Sequence, residues 1–206
     1  MKILVIGATG ATGQWLLQDS LAKGYEVTAL VRKPAAWQAP AGVRVFQGEA
    51  RDLGSLEAAL EGQDAVLSAF GPRSMKADDL QEVFMRNLLA AMQAKGVKRL
   101  INLSALGAGD SFGESPFFMR WILVPLLLKH VFADKNRGES LLVASGLDYV
   151  NVRPGRLLNS PARGGIKATL KGKGLRPEMT RQDLSKFMVA QLTENTWLRQ
   201  SPLIGY

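Results

Sequence analysis

The chain has 206 residues, 47% of them apolar, with no cysteine and a formal net charge of +8. That length and composition fit one folded domain with a substantial core and exclude a globally disordered chain. The missing cysteines exclude disulfides, thiolate metal sites and a cysteine nucleophile, and they suit a reducing compartment.

After Met1-Lys2 only four strongly apolar residues precede Gly7. That is too short for a signal-peptide core, so a cytoplasmic protein is expected. The run Ile3–Ile6 reads as a buried parallel strand, and the glycines Gly7, Gly10 and Gly13 follow at intervals of three. Gln14-Trp15-Leu16-Leu17 then opens a helical pattern. Strand, glycine turn and helix start form the context of a dinucleotide-binding loop running from Gly7 through Thr9, Gly10, Ala11 and Thr12 to Gly13. Gly7 permits the turn, Gly10 lets backbone approach a pyrophosphate, and Gly13 allows close packing of the helix on the sheet. The helix N-terminal N–H groups then face the phosphates. Glycines at such spacing also serve ordinary turns; the strand before and the helix after them favour the binding loop.

The first helix runs to about Lys23, with Leu16, Leu17, Ser20 and Leu21 on one side and Gly24 as its stop. Tyr25–Val31 and Val43–Phe46 read as the second and third strands, Leu53–Glu61 as a helix, and Asp64–Ser68 as the fourth strand. The helix from about Asp78 to Lys95 is the clearest, with Leu80, Val83, Phe84, Leu88, Ala91 and Met92 at helical spacing. Asn87 falls on that stripe and is expected to hydrogen-bond a neighbouring backbone. Lys98–Leu103 and Leu147–Val152 complete six strands, delivering Ser104 and Arg153-Pro154-Gly155-Arg156 at their ends. Alternating strands and helices predict an α/β, Rossmann-like, doubly wound parallel sheet with helices on both faces, in a single domain spanning residues 1–206. Ligands of such sheets sit at the carboxyl ends of the strands.

Residues 116–132 are apolar nearly all round, interrupted by Arg120 and Pro125 well short of a spanning length of about 20 residues, so no membrane span is expected. Burial is the favoured reading, with a wall beside a substrate or a self-association or membrane-surface patch as alternatives. The excess charge is concentrated in residues 153–181, where eight basic residues face one acid, Glu178. The block lacks interleaved aromatics and a recognition-helix pattern, so nucleic-acid binding is not expected. A solvated face is its ordinary meaning, and an anionic small molecule or membrane surface its functional ones.

Arg32-Lys33 stand at the end of the second strand, where a domain preferring NAD places a carboxylate against the ribose 2′-hydroxyl. A guanidinium there pairs with a 2′-phosphate, so NADPH is the expected cofactor. Glu49 and Ala50, after the third strand, are expected beside the adenine. Ala69, Phe70 and Gly71, after the fourth, are expected along the pyrophosphate and nicotinamide ribose.

The motifs Gly7-Ala-Thr-Gly-Ala-Thr-Gly13, Leu30-Val-Arg-Lys33, Gly62-Gln-Asp-Ala-Val66, Leu103-Ser-Ala105 and Ser145-Gly-Leu-Asp-Tyr-Val150 together resemble the atypical short-chain dehydrogenase/reductases. More narrowly, the chain is similar to the flavin reductase/biliverdin-IXβ reductase group within the NmrA-like NAD(P)-binding proteins. The likeness extends to Gly172-Lys-Gly, Asp183-Leu-Ser and Tyr206. It implies that Thr9, Gly10, Thr12 and Gly13 hold the pyrophosphate and Arg32 the 2′-phosphate. Arg73 would lie near the cofactor phosphates or the pocket mouth, Ser104 beside the nicotinamide, and Arg153-Pro154 at the border of the nicotinamide pocket.

The Tyr-x-x-x-Lys dyad of the wider superfamily is absent, because Val131 stands four residues before Lys135. Lys135 and Glu139 share the inner stripe of their helix and read as an ordinary i,i+4 ion pair, with contact between Lys135 and a nicotinamide ribose as the alternative. Arg156 occupies the position where biliverdin-type reductases often carry histidine, and the only histidine, His130, lies in the apolar run. Without a phenol, reduction of a ketone lacks its proton donor, whereas hydride transfer to a planar ring needs mainly orientation. The expected function is therefore an NADPH-dependent reductase of a flavin such as FMN or a tetrapyrrole such as biliverdin. Ser104 would act as a hydrogen-bond donor or as a cap of the fifth strand, and Arg156 would face the anionic acceptor. The substrate pocket would be formed by residues 104–130 and 153–180, in a monomer or weak homodimer. A non-catalytic NADP(H)-sensing protein of NmrA type is the alternative, with a cofactor-retaining epimerase behind it.

Overall fold

The computed structural model describes residues 1–72, 79–115, 117, 119–172 and 174–206, with the side chains at 119, 123, 125 and 127 outside the description. Arg73 and Lys173 thus lie outside the described residues. The strands β1 (Lys2–Ile6), β2 (Glu26–Val31), β3 (Val43–Gln47), β4 (Ala65–Ser68), β5 (Arg99–Leu103) and β6 (Asp148–Pro154) form the parallel body of an eight-stranded sheet. Two further strands extend it: β8 (Lys167–Thr169) and β10 (Leu203–Gly205). The order is β3-β2-β1-β4-β5-β6-β10-β8, with β8 antiparallel to β10. A small parallel pair, β7 (Arg156–Leu158) with β9 (Glu178–Thr180), stands apart.

Both faces of the strands are covered. Helices α1 (Ala11–Ala22) and α5 (Arg181–Ala190) set Leu16, Leu17, Leu184 and Met188 against Ile3, Val5, Leu67 and Val150. On the other face α2 (Leu53–Leu60), α3 (Leu80–Ala94) and α4 (Lys129–Ala144) set Leu56, Phe84, Leu88 and Leu142 against Leu4, Ile6, Val66 and Leu100. Successive strand residues feed opposite cores, which is why the strands read as apolar runs rather than alternating ones. The doubly wound α/β expectation is borne out, and helix α1 begins directly after Gly10, earlier than the apolar pattern indicated.

Asn87 donates to the Arg51 carbonyl at 2.6 Å, a backbone partner as expected. Helix α3 draws its cap from another helix: Asp134 of α4 accepts from the Gln81 and Glu82 N–H groups at 2.8 and 3.1 Å. Gly138 keeps this crossing close, since a Cβ there would sit 3.0 Å from the Gln81 carbonyl oxygen.

Burial of the apolar run holds only in part among its described side chains, where Val124 and Phe132 are buried. A π-helical segment, Met119–Leu128, leads into α4, and Phe117, Trp121, Ile122 and Leu126 are exposed while Val124 points inward. Apolarity all round left the segment without a preferred face in sequence, and only one side of it has a core to meet.

Candidate active site at the strand ends

The strand order reverses direction between β1 and β4, and that crevice is where an open α/β sheet binds ligands. The glycine loop lies there. Gly7 has φ +83°, and a Cβ on it would fall 2.5 Å from the Ala69 carbonyl oxygen. A Cβ on Gly13 would fall 2.1 Å from the Gly7 carbonyl oxygen. The fold itself therefore demands both glycines. Gly10 is different: it has an ordinary φ of −82° and is exposed, and a Cβ would meet only the Gly7 oxygen at 3.2 Å. Gly10 is the N-cap of α1 and offers no side chain to cap that end, and the first turn carries no acid. Exposed Ala11 and buried Thr12 follow it, with half-buried Thr9 before it. A bare helix end with backbone open at Gly10 fits a pyrophosphate group.

Arg32 and Lys33 are exposed at the end of β2. The Arg32 guanidinium lies 3.6 Å from the Glu49 carboxylate, so the residues assigned to the adenosine end face one another. Ala50 is buried in the core. Phe70 packs on Phe84 with ring centroids 4.3 Å apart, and its carbonyl accepts from Gln81 at 3.3 Å. Gly71 is exposed, and among the described residues no atom lies within 4 Å of a Cβ added there.

Ser104 follows β5, held by its N–H on the Val152 carbonyl at 2.7 Å. Its hydroxyl donates to Glu139 of α4. Glu139 also receives Arg153 of β6, through Nη2 at 2.6 Å and Nε at 3.3 Å, and Arg153 Nη1 reaches Asp110 at 2.5 Å. Ser104, Glu139 and Arg153 are all buried, whereas Asp110 is in solvent. Burial works against the Arg153 charge, but the hydrogen bonds and charges of Glu139 and Asp110 outweigh it and hold the guanidinium more firmly protonated than usual. Gly109, at φ +57°, roofs this pair: a Cβ would fall 2.5 Å from Arg153 Nη2.

The expected Lys135–Glu139 ion pair is replaced by this arrangement. Glu139 turns to Ser104 and Arg153, and half-buried Lys135 forms no ion pair among the described residues. Burial pushes the Lys135 ammonium below its ordinary pKa, with Glu139 and Asp134 opposing the shift. Neither Glu139's two partners nor Asp110 could be found from spacing, because the contacts join segments 14 to 43 residues apart. As a carboxylate, Glu139 only accepts, so the Ser104 proton is committed to it and Ser104 is left as an acceptor. That revises its expected use as a donor.

Pro154 is buried at the end of β6, and its carbonyl accepts from Leu106 at 2.8 Å. Arg156 is exposed on β7, its N–H bonded to the Pro177 carbonyl at 2.9 Å. It lines a shallow recess of about 250 Å³ with Arg176, Pro177 and Glu178, and no contact joins it to Ser104 among the described residues. A larger cavity, about 520 Å³, opens at the amino ends of β5 and β6 beside Lys98, Asp148 and Arg199, away from the carboxyl ends that carry the site.

Comparison with known proteins agrees with this fold. The chain is 31% identical over 207 residues to the uncharacterized sugar epimerase YhfK of Bacillus subtilis (strain 168), covering 94% of this chain and 89% of that protein. The fold is shared with ChuY, an anaerobillin reductase from Escherichia coli O157:H7, at a TM-score of 0.81 and 24% identity, covering 100% of this chain and 97% of that one. It is likewise shared with a short-chain dehydrogenase/reductase from Veillonella parvula DSM 2008 in complex with NADP, at a TM-score of 0.83 and 21% identity, covering 100% and 94%. The NAD(P)H-binding family model matches residues 7–195, beginning at the first glycine of the loop. The chain belongs to the NAD(P)H-binding family.

Proposed function

We propose that the protein is an NADPH-dependent reductase that delivers hydride to a planar, anionic acceptor, a flavin such as FMN or a linear tetrapyrrole such as biliverdin. The observation that carries this reading is the pairing of a bare helix end at Gly10 with a site that has no phenol, Val131 standing where the superfamily places tyrosine. A bound reduced nicotinamide supplies the hydride. The chain's residues bind and orient. Gly10, Ala11, Thr12 and the α1 N-terminus would hold the pyrophosphate, with Thr9 and Gly71 beside it. Arg32, with Lys33 next to it, would pair with the 2′-phosphate.

Ser104 has its proton committed to Glu139 and lone pairs to spare, so it suits an N–H group such as a carboxamide and does not protonate an acceptor. The proton then comes from water, which a flavin or tetrapyrrole tolerates. Exposed Arg156, with Arg176 beside the same recess, would meet a phosphate or propionate of the acceptor. The substrate pocket would be formed mainly by residues 104–130 and 153–180. Sugar epimerisation, named for the Bacillus relative, needs proton and hydride shuttling at a hydroxyl-bearing carbon, and Val131 offers no group for it.

Steady-state oxidation of NADPH, with FMN, FAD and biliverdin isomers in turn and NADH as control, tests the reading. Acceptor-dependent turnover favouring NADPH is the expected result. Tight NADPH binding without turnover under every acceptor would overturn it in favour of an NADP(H)-sensing protein.

A further inference from the structure

Between Glu114 and Asp134 the sequence contains no acidic residue, while Arg120, Lys129 and His130 fall within that interval. The same interval carries the three most exposed large apolar side chains of the described residues, Phe117, Leu126 and Trp121. Phe117 is 75% exposed, Trp121 61%, Ile122 42% and Leu126 75%. They recur four to five residues apart, the spacing that the wide i→i+5 turn of a π-helix brings onto one face. Val124 points the other way, into a small cluster with Ala108 and Phe132. The segment is thus apolar on both sides, one against protein and one against solvent, where a surface helix ordinarily turns polar residues outward.

A basic rim surrounds the outward face. Arg120 stands over the Trp121 ring at 5.8 Å and donates to the Gly113 carbonyl at 3.0 Å, so its charge is fixed beside the apolar stripe. Lys129 and His130 are exposed at its far end. Exposed Lys171 lies next to Gly172, whose N–H donates to Glu114 at 2.8 Å and ties this turn to the residues just before the apolar segment.

We infer that this face is a docking surface for an anionic phospholipid membrane, on which the segment lies without spanning it. Large apolar side chains, a tryptophan among them, inside a cationic rim match an interface of acyl chains beneath negative headgroups. No helix of the described residues is long and apolar enough to cross a bilayer. A second copy of the chain fits the face less well, because a two-fold contact sets each basic rim against its own like.

Sedimentation with lipid vesicles tests the assignment. Vesicles of phosphatidylcholine with about a third phosphatidylglycerol are expected to bind the full chain at least about tenfold more strongly than phosphatidylcholine alone, with binding weakened by salt. A Trp121→Ser, Leu126→Ser double variant should lose about tenfold of that binding, and its unfolding temperature should stay close to that of the parent because both side chains are exposed. Lys129→Glu, which keeps the apolar stripe, should weaken binding to the anionic vesicles only. Absence of binding to anionic vesicles, or binding that the double variant leaves intact, would overturn the assignment. So would a concentration-dependent dimer that the same double variant dissociates, since the face would then belong to a second copy.

Discussion

Gly10 and Gly13 have the same residue type and different reasons for it. A Cβ on Gly13 strikes backbone that cannot yield, the Gly7 carbonyl oxygen at 2.1 Å. Gly13→Ala should therefore cost about 2–4 kcal/mol of stability, read by urea unfolding. Gly10→Ala, whose Cβ would meet the Gly7 oxygen at 3.2 Å, should cost much less stability than Gly13→Ala and weaken NADPH binding at least about tenfold. Equal loss of stability in both would show that Gly10 is a packing glycine. The Arg32–Glu49 contact is exposed on both sides, so its own stabilisation is small, about 0–1 kcal/mol. Its consequence lies in cofactor choice. Glu49→Gln frees Arg32 for a 2′-phosphate and should raise the NADPH-over-NADH affinity ratio by about two- to fivefold, the same energy expressed as selectivity. Glu139 stands at the other extreme. Removing its charge strands a buried guanidinium, and Glu139→Ala should lower stability by about 3–5 kcal/mol.

At the scale of elements, the α5 N-terminus carries a pH dependence. Thr180 caps it by accepting from the Asp183 N–H at 3.1 Å, and Asp183 collects the Tyr206 hydroxyl at 2.6 Å, the Thr180 hydroxyl at 2.9 Å and the Arg163 N–H at 2.7 Å. Burial raises the carboxyl pKa, but the bonds from Tyr206, Arg163, Thr180 and Gly164 outweigh it, and the folded pKa lies below the ordinary 3.8. A depressed folded pKa means full stabilisation above 3.8 and loss as the pH falls below it through the folded value. Tyr206→Phe removes one donor, so acid unfolding should begin at a higher pH in that variant, measured by circular dichroism. Local signals made the first six strands legible: apolar runs of four to seven residues ending at Gly, Ser or Arg. The later strands were not, because β7 to β10 have three residues each and too little length for a pattern. Helix α5 opens with the cap pattern Thr180-x-x-Asp183, a signal present in the sequence and masked by the surrounding basic block. The run 116–132 had periodicity of neither kind, so inside and outside were indistinguishable until the neighbouring core was placed.

Across the whole molecule, the sheet order gathers the glycine loop, the Ala69–Gly71 loop and Ser104 at one edge. That convergence follows from alternating strands and helices alone. The chemistry within the edge was less legible. Gly7, Gly13 and Arg32 announce themselves by spacing and by position after a strand. The Ser104–Glu139–Arg153 cluster joins β5, α4 and β6 and exists only once the sheet is built. The net charge likewise resolves only in three dimensions, with Arg153 internal, Arg163 held by Glu178 and stacked over the Tyr206 ring at 5.3 Å, and Arg156 left at the surface. We propose that this edge binds a 2′-phosphorylated nicotinamide dinucleotide through Arg32. This binding is tested most directly by measuring NADPH and NADH dissociation constants for the parent chain and for Arg32→Ala. A parent that favours NADPH by at least about tenfold, and a variant that loses this preference through weaker NADPH binding alone, is the predicted result. Equal weakening of both dinucleotides, or no preference in the parent, would contradict it.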